Sequence, residues 1–377
     1  MKLALLTFYP RDIEVVPGGI RMVSLNLVRG LLERPDLDLT VIHCHSDIEA
    51  DATVRQGAAE VRYLAMPRQR LVPNLITSLG RIVEVLGEVR PDLVHAHTAH
   101  FAYASLRAGL PTILTIHGVL SEQRRVYNRT LYDRARYGML ACYEWRALPR
   151  VAAVTAISSY VVEAYRAQGS SAWRRIDNPV PDEFFALADA PEPGRILYAG
   201  STDARKDLIT LLRAVDCLRR ELPNVLLAIA GHVTDPAYER QVHRLVEERG
   251  LESHVAFLGL LSRDQLLREY ARCSVVALAS VEENAPMALI EGMAAGNPVV
   301  ATRVGGIPDL VAHGETGFMV PARDPAAMAD KLGRLLRDPG LRLRMGREAR
   351  ARARQRYGLS AIAESYHALY LDTLGGL

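Results

Sequence analysis

Short, unbroken apolar runs alternate along the chain with longer stretches whose apolar positions recur every three or four residues. The runs LALLTF (3–8), TVIHC (40–44), VRYLAM (61–66), DLVHAH (92–97), TILTIH (112–117) and AAVTAIS (152–158) read as buried strands. Helical spacing is predicted from about Gly19 to Glu33, Ile76 to Val89, Ala102 to Ala108 and Val126 to Leu148. Strand–helix alternation with connections of this length specifies a parallel sheet with helices on both faces.

The alternation stops at DNPVPDEFFALADAPEPG (177–194), which carries Pro179, Pro181, Pro191 and Pro193 and little periodicity, the composition of a linker. It restarts with strands at RILYAG (195–200), VLLAIAG (225–231), VAFLG (255–259), SVVALAS (274–280) and PVVAT (298–302). Helices are predicted from about Lys206 to Glu221 and on to about Gly250. A helical tail follows from Pro325 to Leu377, broken at Pro339 and Gly358. The expected fold class is α/β: two Rossmann-like, doubly wound domains, 1–178 and 195–357, joined by a linker at 179–194. The expected ligand site is the cleft between them, outside the carboxyl ends of the strands.

Composition narrows the class. The chain has 377 residues, 49% hydrophobic and 24% charged, enough apolar surface for two packed domains and too much for a disordered chain. The apolar start of MKLALLTFYPRD is too short for a signal peptide and reads as a first strand, so a cytoplasmic location is expected. Cys44, Cys142, Cys217 and Cys273 are far apart, which favours reduced, mostly buried thiols over a zinc site. The net charge of +3 includes no dominant basic tract, so no nucleic-acid partner is expected. The net charge before and after residue 180 is +5 and −2; the basic half reads as a surface for an anionic substrate or membrane, or as ordinary fluctuation. Only Lys2, Lys206 and Lys331 are lysines, so a lysine in a motif stands out.

The most informative stretch is SVEENAPMALIEGMAAGNPVVAT (280–302). Pro286 suits the first position of a helix, where a missing N–H costs nothing. Glu283 then lies in the preceding loop and Glu291 between one and two turns inside. Amides near Met287 and Ala288 would favour an anion or a sugar hydroxyl. Glu291 would accept hydrogen bonds from a ribose diol; otherwise this is a capped surface helix with two solvated glutamates. Arg205 and Lys206 place two cations after a strand, where diphosphate charge must be neutralised, or else mark a solvated helix start. Gly18 and Gly19 let backbone approach a diphosphate, or make a tight strand-to-helix turn. His117 ends a strand, as a site residue or a structural one. His95, His97 and His100 lack the carboxylates or cysteines of a metal cluster, and Asp36 and Asp38 form a DxD in a turn; no metal site is expected.

In context, the E-x7-E pair followed by GMAAGNPVVAT resembles the signature of family 4 retaining glycosyltransferases (glycosyltransferase group 1) of the GT-B fold. Pro17-Gly18-Gly19, DLVHAH, TIHG (115–118), AISSYV (156–161), DNPV (177–180), GSTDARKD (200–207) and GGIPDLVAHGETGFMV (305–320) follow in the family's order. The resemblance implies a metal-independent, retaining hexosyltransferase without a cofactor. It would take a UDP- or GDP-sugar and transfer the sugar to a sugar, lipid-linked or small-molecule hydroxyl, in glycan, glycolipid or exopolysaccharide biosynthesis. It assigns catalysis to His117, Arg205, Lys206 and Glu283. Donor binding falls to Gly18, Gly19, Asn284, Ala285, Pro286, Met287, Ala288 and Glu291. It also implies that the last helix, about 358–377, packs back on the first domain.

Two departures stand out: Ser201 where many relatives have Arg, with Arg205 either its substitute or not, and NAPM (284–287) where many have Gly-Phe-Gly. Two other readings are a nucleotide-sugar epimerase on the same fold and a non-catalytic nucleotide-sugar-binding protein. Arg124, Arg125, Arg129, Arg134 and Arg136, with Tyr127, Leu131 and Tyr137, form a basic amphipathic surface. It reads as a peripheral contact with anionic lipid at the inner face of the cell membrane, or as a solvated helix.

Overall fold

The computed structural model describes all residues except 67–73, 128–129, 167–172, 189 and 377. The chain divides into two compact units: residues 1–11, 20–179 and 359–377 form unit 1, and residues 12–19 and 180–358 form unit 2.

Unit 1 holds an eight-stranded sheet ordered β3-β4-β2-β1-β5-β6-β7-β8. Its strands are β1 (Lys2–Leu6), β2 (Asp38–His45), β3 (Ala52–Gln56), β4 (Ala59–Ala65), β5 (Leu93–Ala96), β6 (Thr112–Ile116), β7 (Ala153–Ala156) and β8 (Trp173–Arg175). All neighbours are parallel except β3, which pairs antiparallel with β4. Strand β3 breaks the all-parallel expectation: its sequence ATVRQ is polar and exposed, an edge strand with no apolar run to announce it. The inner strands β1, β5, β6 and β7 bury nearly every residue because helices cover both sheet faces.

Helices α1 (Gly19–Leu31), α2 (Asn74–Val89) and α3 (Ala99–Arg107) lie near their expected positions. The stretch expected as one helix from Val126 to Leu148 is two, α4 (Leu120–Tyr127) and α5 (Leu131–Ala147). A capping box restarts the chain: Thr130 Oγ1 accepts from Asp133 N at 3.1 Å, and Asp133 Oδ2 accepts from Thr130 N at 2.9 Å. Helix α6 (Ser159–Tyr165) follows β7.

The stretch expected as a linker is packed into unit 2. Val180, Phe184 and Phe185 are buried, α7 (Asp182–Phe185) forms, and Val180 N donates to Tyr357 O at 2.7 Å.

The six strands of unit 2 are all parallel, ordered β11-β10-β9-β12-β13-β14. They are β9 (Arg195–Ala199), β10 (Leu226–Ala230), β11 (Val255–Gly259), β12 (Val275–Leu278), β13 (Val299–Thr302) and β14 (Gly317–Val320). Sequence reading missed β14, whose GFMV run lies within the GGIP block. Between the strands run α8 (Leu208–Leu218), α9 (Pro236–Arg249), α10 (Arg263–Arg272), α11 (Met287–Ala294) and α12 (Ile307–Leu310). The tail forms α13 (Pro325–Arg337), α14 (Pro339–Tyr357) and α15 (Leu359–Gly375).

Helix α15 packs in unit 1, where Tyr370 Oη lies 2.8 Å from His95 Nδ1 and a Cβ on Gly30 would meet Ala363 Cβ at 2.9 Å. Asp36 of the DxD pair accepts from His367 Nε2 at 2.7 Å. Two of the four thiols, Cys142 and Cys217, are exposed, contrary to the expectation that most are buried. Among the described residues, no helix is long and apolar enough to cross a membrane.

Candidate functional site

In unit 2 the loop from β9 to α8 is folded around one carboxylate. Asp203 Oδ1 accepts from the backbone N–H groups of Arg205 (2.9 Å) and Lys206 (3.3 Å), and Oδ2 accepts from Ser201 Oγ (2.8 Å). Asp207, in the left-handed region at φ 46°, caps α8 through Thr210. The helix therefore starts two residues later than expected. Arg205 and Lys206 sit in the loop and turn their side chains to the β12–α11 connection.

There they meet Glu283. Lys206 Nζ lies 2.5 Å from Glu283 Oε1, and Arg205 Nη1 lies 3.2 Å from Oε2. Ser280 Oγ donates to Oε1 at 2.9 Å, and Arg205 Nη1 donates to the Glu282 carbonyl at 3.0 Å. Burial alone would raise the Glu283 carboxyl. The Lys206 and Arg205 charges, with hydrogen bonds from Lys206 and Ser280, outweigh it and hold the group below its ordinary value of 4.5. Glu283 is thus a buried anion between two cations.

The GGIP block supports this loop from behind. Gly305, at φ 50°, passes so close that a Cβ there would sit 1.8 Å from the Glu283 carbonyl oxygen, and Gly306 N donates to the same oxygen at 2.9 Å. Gly305, Ser280 and Asp203 were not singled out from sequence; the Asx-turn signature of STDARKD could have disclosed Asp203.

Helix α11 begins at Met287, with Pro286 as its N-cap. This is one position earlier than the first helical place assigned to it, because its ψ of 119° is extended. Asn284, Ala285, Pro286 and Met287 are buried and Ala288 is half-buried. Glu291, the fifth residue of α11, is apart from the cation pair. Its Oε2 accepts from the buried Tyr270 hydroxyl at 2.8 Å, and burial raises its carboxyl above the ordinary value. Gly18 and Gly19 are exposed, Gly18 at φ 87°, with open space where a Cβ would stand.

His117 follows β6 in unit 1 and lines a cavity of about 390 Å³. The apolar wall includes Phe8, Met66, Leu75, Leu114, Ile116 and Leu140; Gln123, Arg136 and Glu144 add polar groups. His97 also lines it, with its ring centroid 4.8 Å from that of His117. Burial depresses the imidazoles: His95 and His100 to about 3, His117 to about 4, and His97 well below 6.5. The His117 imidazole also disfavours protonation of His95, those of His95 and His117 do so at His97, and the Arg136 charge adds to the effect of burial at His100. The rings are neutral at physiological pH. Burial pushes Glu144 up to about 7, against the hydrogen bond it accepts from Tyr165 Oη at 2.8 Å. Neither Glu144 nor the cavity was legible from sequence, because Glu144 lies on a helix of weak periodicity.

Among the described residues, the one cluster with metal-ligand character is His43, His45 and Asp47. Tyr9 N donates to His43 Nδ1 at 3.0 Å, and His43 Nε2 lies 3.1 Å from Asp47 Oδ1. Asp47 is also paired with Arg21.

Comparison with known proteins gives a consistent picture. The family model described as "Glycosyltransferase Family 4" matches residues 17–184, and that described as "Glycosyl transferases group 1" matches residues 180–352. The chain is 34% identical over 182 residues to the D-inositol 3-phosphate glycosyltransferase of Corynebacterium glutamicum (strain R), covering 48% of this chain and 43% of that one. It is 27% identical over 330 residues to the protein of the same name from Pseudarthrobacter chlorophenolicus, covering 80% and 77%. The matched stretch thus spans less than half the length of the first of these relatives. In fold, the chain is similar to sucrose-phosphate synthase from Thermosynechococcus elongatus, with a TM-score of 0.84, 22% identity and full coverage of both chains.

Proposed function

We propose, for a chain that belongs to the family 4 glycosyltransferases (glycosyltransferase group 1) of the GT-B fold, that it transfers a hexosyl group from a nucleotide sugar to an acceptor hydroxyl with retention. The observation that carries this reading is the pairing of Arg205 and Lys206 with buried Glu283 in unit 2. Nucleoside diphosphate leaving groups carry negative charge that rises as the glycosidic bond breaks. Two cations preset by a buried carboxylate neutralise that charge with little reorganisation. Arg205 takes the place of the cation absent at Ser201.

In this reading unit 2 takes the donor, with Glu283 contacting the transferred sugar, Glu291 the ribose, and the Met287 and Ala288 amides the diphosphate. Unit 1 takes the acceptor, and its neutral His117 hydrogen-bonds a sugar hydroxyl. The acceptor oxygen attacks the face from which the diphosphate departs, and a phosphate oxygen accepts its proton. Arg205 and Lys206 fill the role a divalent cation has elsewhere, so transfer is expected to survive chelation.

Location at the inner face of the membrane belongs to the same proposal. Leu131 and Trp145 are 81% and 71% exposed on α5, fourteen residues apart and so near one face, with exposed Arg134 on the same helix and Arg125 on α4. Arg129 lies outside the described residues. Salt-sensitive flotation with anionic liposomes tests this part; no binding at low salt removes it.

The central experiment is a panel of UDP-, GDP- and TDP-sugars, read by thermal shift and nucleotide release with and without chelator. Release or transfer from one donor supports the reading. Isomerised donor without release would instead identify an epimerase, and binding without turnover a binding protein.

A further inference from the structure

The cavity of unit 1 contains a proton inventory that fixes the state of one histidine. Ser24 Oγ donates to the Ile20 carbonyl at 2.8 Å, an oxygen that can only accept. Ser24 has one hydroxyl hydrogen, so it is spent there. Thr7 Oγ1 lies 2.5 Å from Ser24 Oγ, and that contact needs the Thr7 hydrogen. Thr7 Oγ1 also lies 2.9 Å from His97 Nδ1, and the only hydrogen left for this contact is on the ring nitrogen. His97 is 2% exposed and its ring is neutral. Its single proton is therefore on Nδ1, and Nε2 carries a bare lone pair.

Among the described residues His97 Nε2 has no hydrogen-bond partner; it is buried, and the residue forms part of the cavity wall. A buried, unmatched acceptor beside a cavity of about 390 Å³ calls for a donor brought by a ligand. Phe8, Met66, Leu75 and Leu114 form an apolar stretch of the wall that gains from covering an apolar body, whereas hydroxyls set against these four side chains would lose their water without replacement; polar side chains such as Ser46, Ser78, Gln123 and Arg136 line the remainder. We infer that the cavity seats the apolar body of an alkyl or aryl alcohol acceptor, and that His97 Nε2 accepts the hydrogen bond of its hydroxyl. This rests on the acceptor role given to unit 1. It narrows the acceptor class and adds a binding residue beside His117.

The test uses benzyl alcohol and benzyl methyl ether as probes, with the full chain labelled with ¹⁵N-histidine and no nucleotide present. Long-range ¹H–¹⁵N spectra should show His97 with Nδ1 protonated and Nε2 pyridine-like. Benzyl alcohol should move the Nε2 resonance and bind about fivefold to tenfold more tightly than the ether, which lacks a donor. His97→Phe should bring the two affinities together. Ser24→Ala should do so by another route: it frees the Thr7 hydrogen for His97 Nδ1 and moves the ring proton to Nε2. Because this variant keeps the imidazole, it serves even if His97→Phe does not fold. A wild-type Nε2–H tautomer, equal affinity for both probes, or no binding of either overturns the inference. The donor panel is independent of these readings. A preserved alcohol preference without nucleotide release would defeat the transferase reading alone, and release without the preference would defeat this inference alone.

Discussion

Units 1 and 2 are both doubly wound sheets, yet they treat buried ionisable groups in opposite ways. Unit 1 gathers His95, His97, His100 and His117 near the carboxyl ends of β5 and β6, where burial strips their charge. Unit 2 buries Glu283 and keeps it charged, because two cations and a hydroxyl reach it within 3.2 Å. The same burial penalty acts in both. What differs is whether opposite charge is supplied with it. Neutral imidazoles suit an uncharged hydroxyl, while a preset ionic cluster suits a polyanion.

Acid should separate the units most strongly. Below the ordinary imidazole value of 6.5 the unfolded chain takes up protons that the buried rings of unit 1 refuse until about 3 to 4. The stability they contribute is full above pH 6.5 and falls as pH drops, by about 2 kcal/mol per buried imidazole at pH 5. Glu283 is held below 4.5, so unit 2 keeps its contribution down to that pH and loses it only on further acidification. Hydrogen exchange should show unit 1 peptides losing protection first. Tryptophan fluorescence follows unit 1 by itself, since Trp145 and Trp173 both lie there. Simultaneous loss in both units near pH 4 would break the contrast.

Removing a cation is expected to cost slightly less. Lys206→Ala should lower turnover by about 10²–10³ and leave nucleoside affinity nearly unchanged, while Arg205 and Ser280 keep Glu283 in place. Steady-state kinetics with nucleoside binding by calorimetry decides it, and an unchanged turnover takes Lys206 out of the site.

Gly305→Ala should destabilise unit 2 by about 1–3 kcal/mol, through left-handed strain and the clash with the Glu283 carbonyl. Turnover should fall with it as Glu283 shifts. Chemical denaturation measures the first effect, and wild-type stability would show that the loop yields without cost.

The smallest effect separates the two glutamates. A free nucleoside has a ribose but neither diphosphate nor transferred sugar. Glu291→Gln should weaken its binding about tenfold, and Glu283→Gln should leave it nearly unchanged and lower kcat instead. Equal weakening in calorimetry would merge the two roles.

Element type was legible wherever apolar runs or helical spacing were long, as in TILTI of β6 and LLAIA of β10. It failed where local chemistry competed. The edge strand β3 has no apolar run, Thr130 and Asp133 divide a periodic stretch into two helices, and Asp207 holds α8 back from Lys206. Arg205, Lys206 and Glu283 were named from sequence, but the contact between them was not. Lys206 and Glu283 are 77 residues apart, and the meeting depends on β9 and β12 being neighbours.

The sequence by itself determined the α/β class and the positions of most strands. These depend on periodicity and on motifs a few residues long. Only the tertiary structure decided which charges are real. Carboxylates and imidazoles take their ionisation from what packs around them, so Glu283 stays an anion beside Lys206 while Glu144 is pushed up to about 7. The His97 tautomer follows from Thr7, just after β1, and Ser24 of α1, which approach it across 90 and 73 residues of sequence. One hydrogen per hydroxyl, passed along contacts that no local pattern encodes, leaves Nε2 bare.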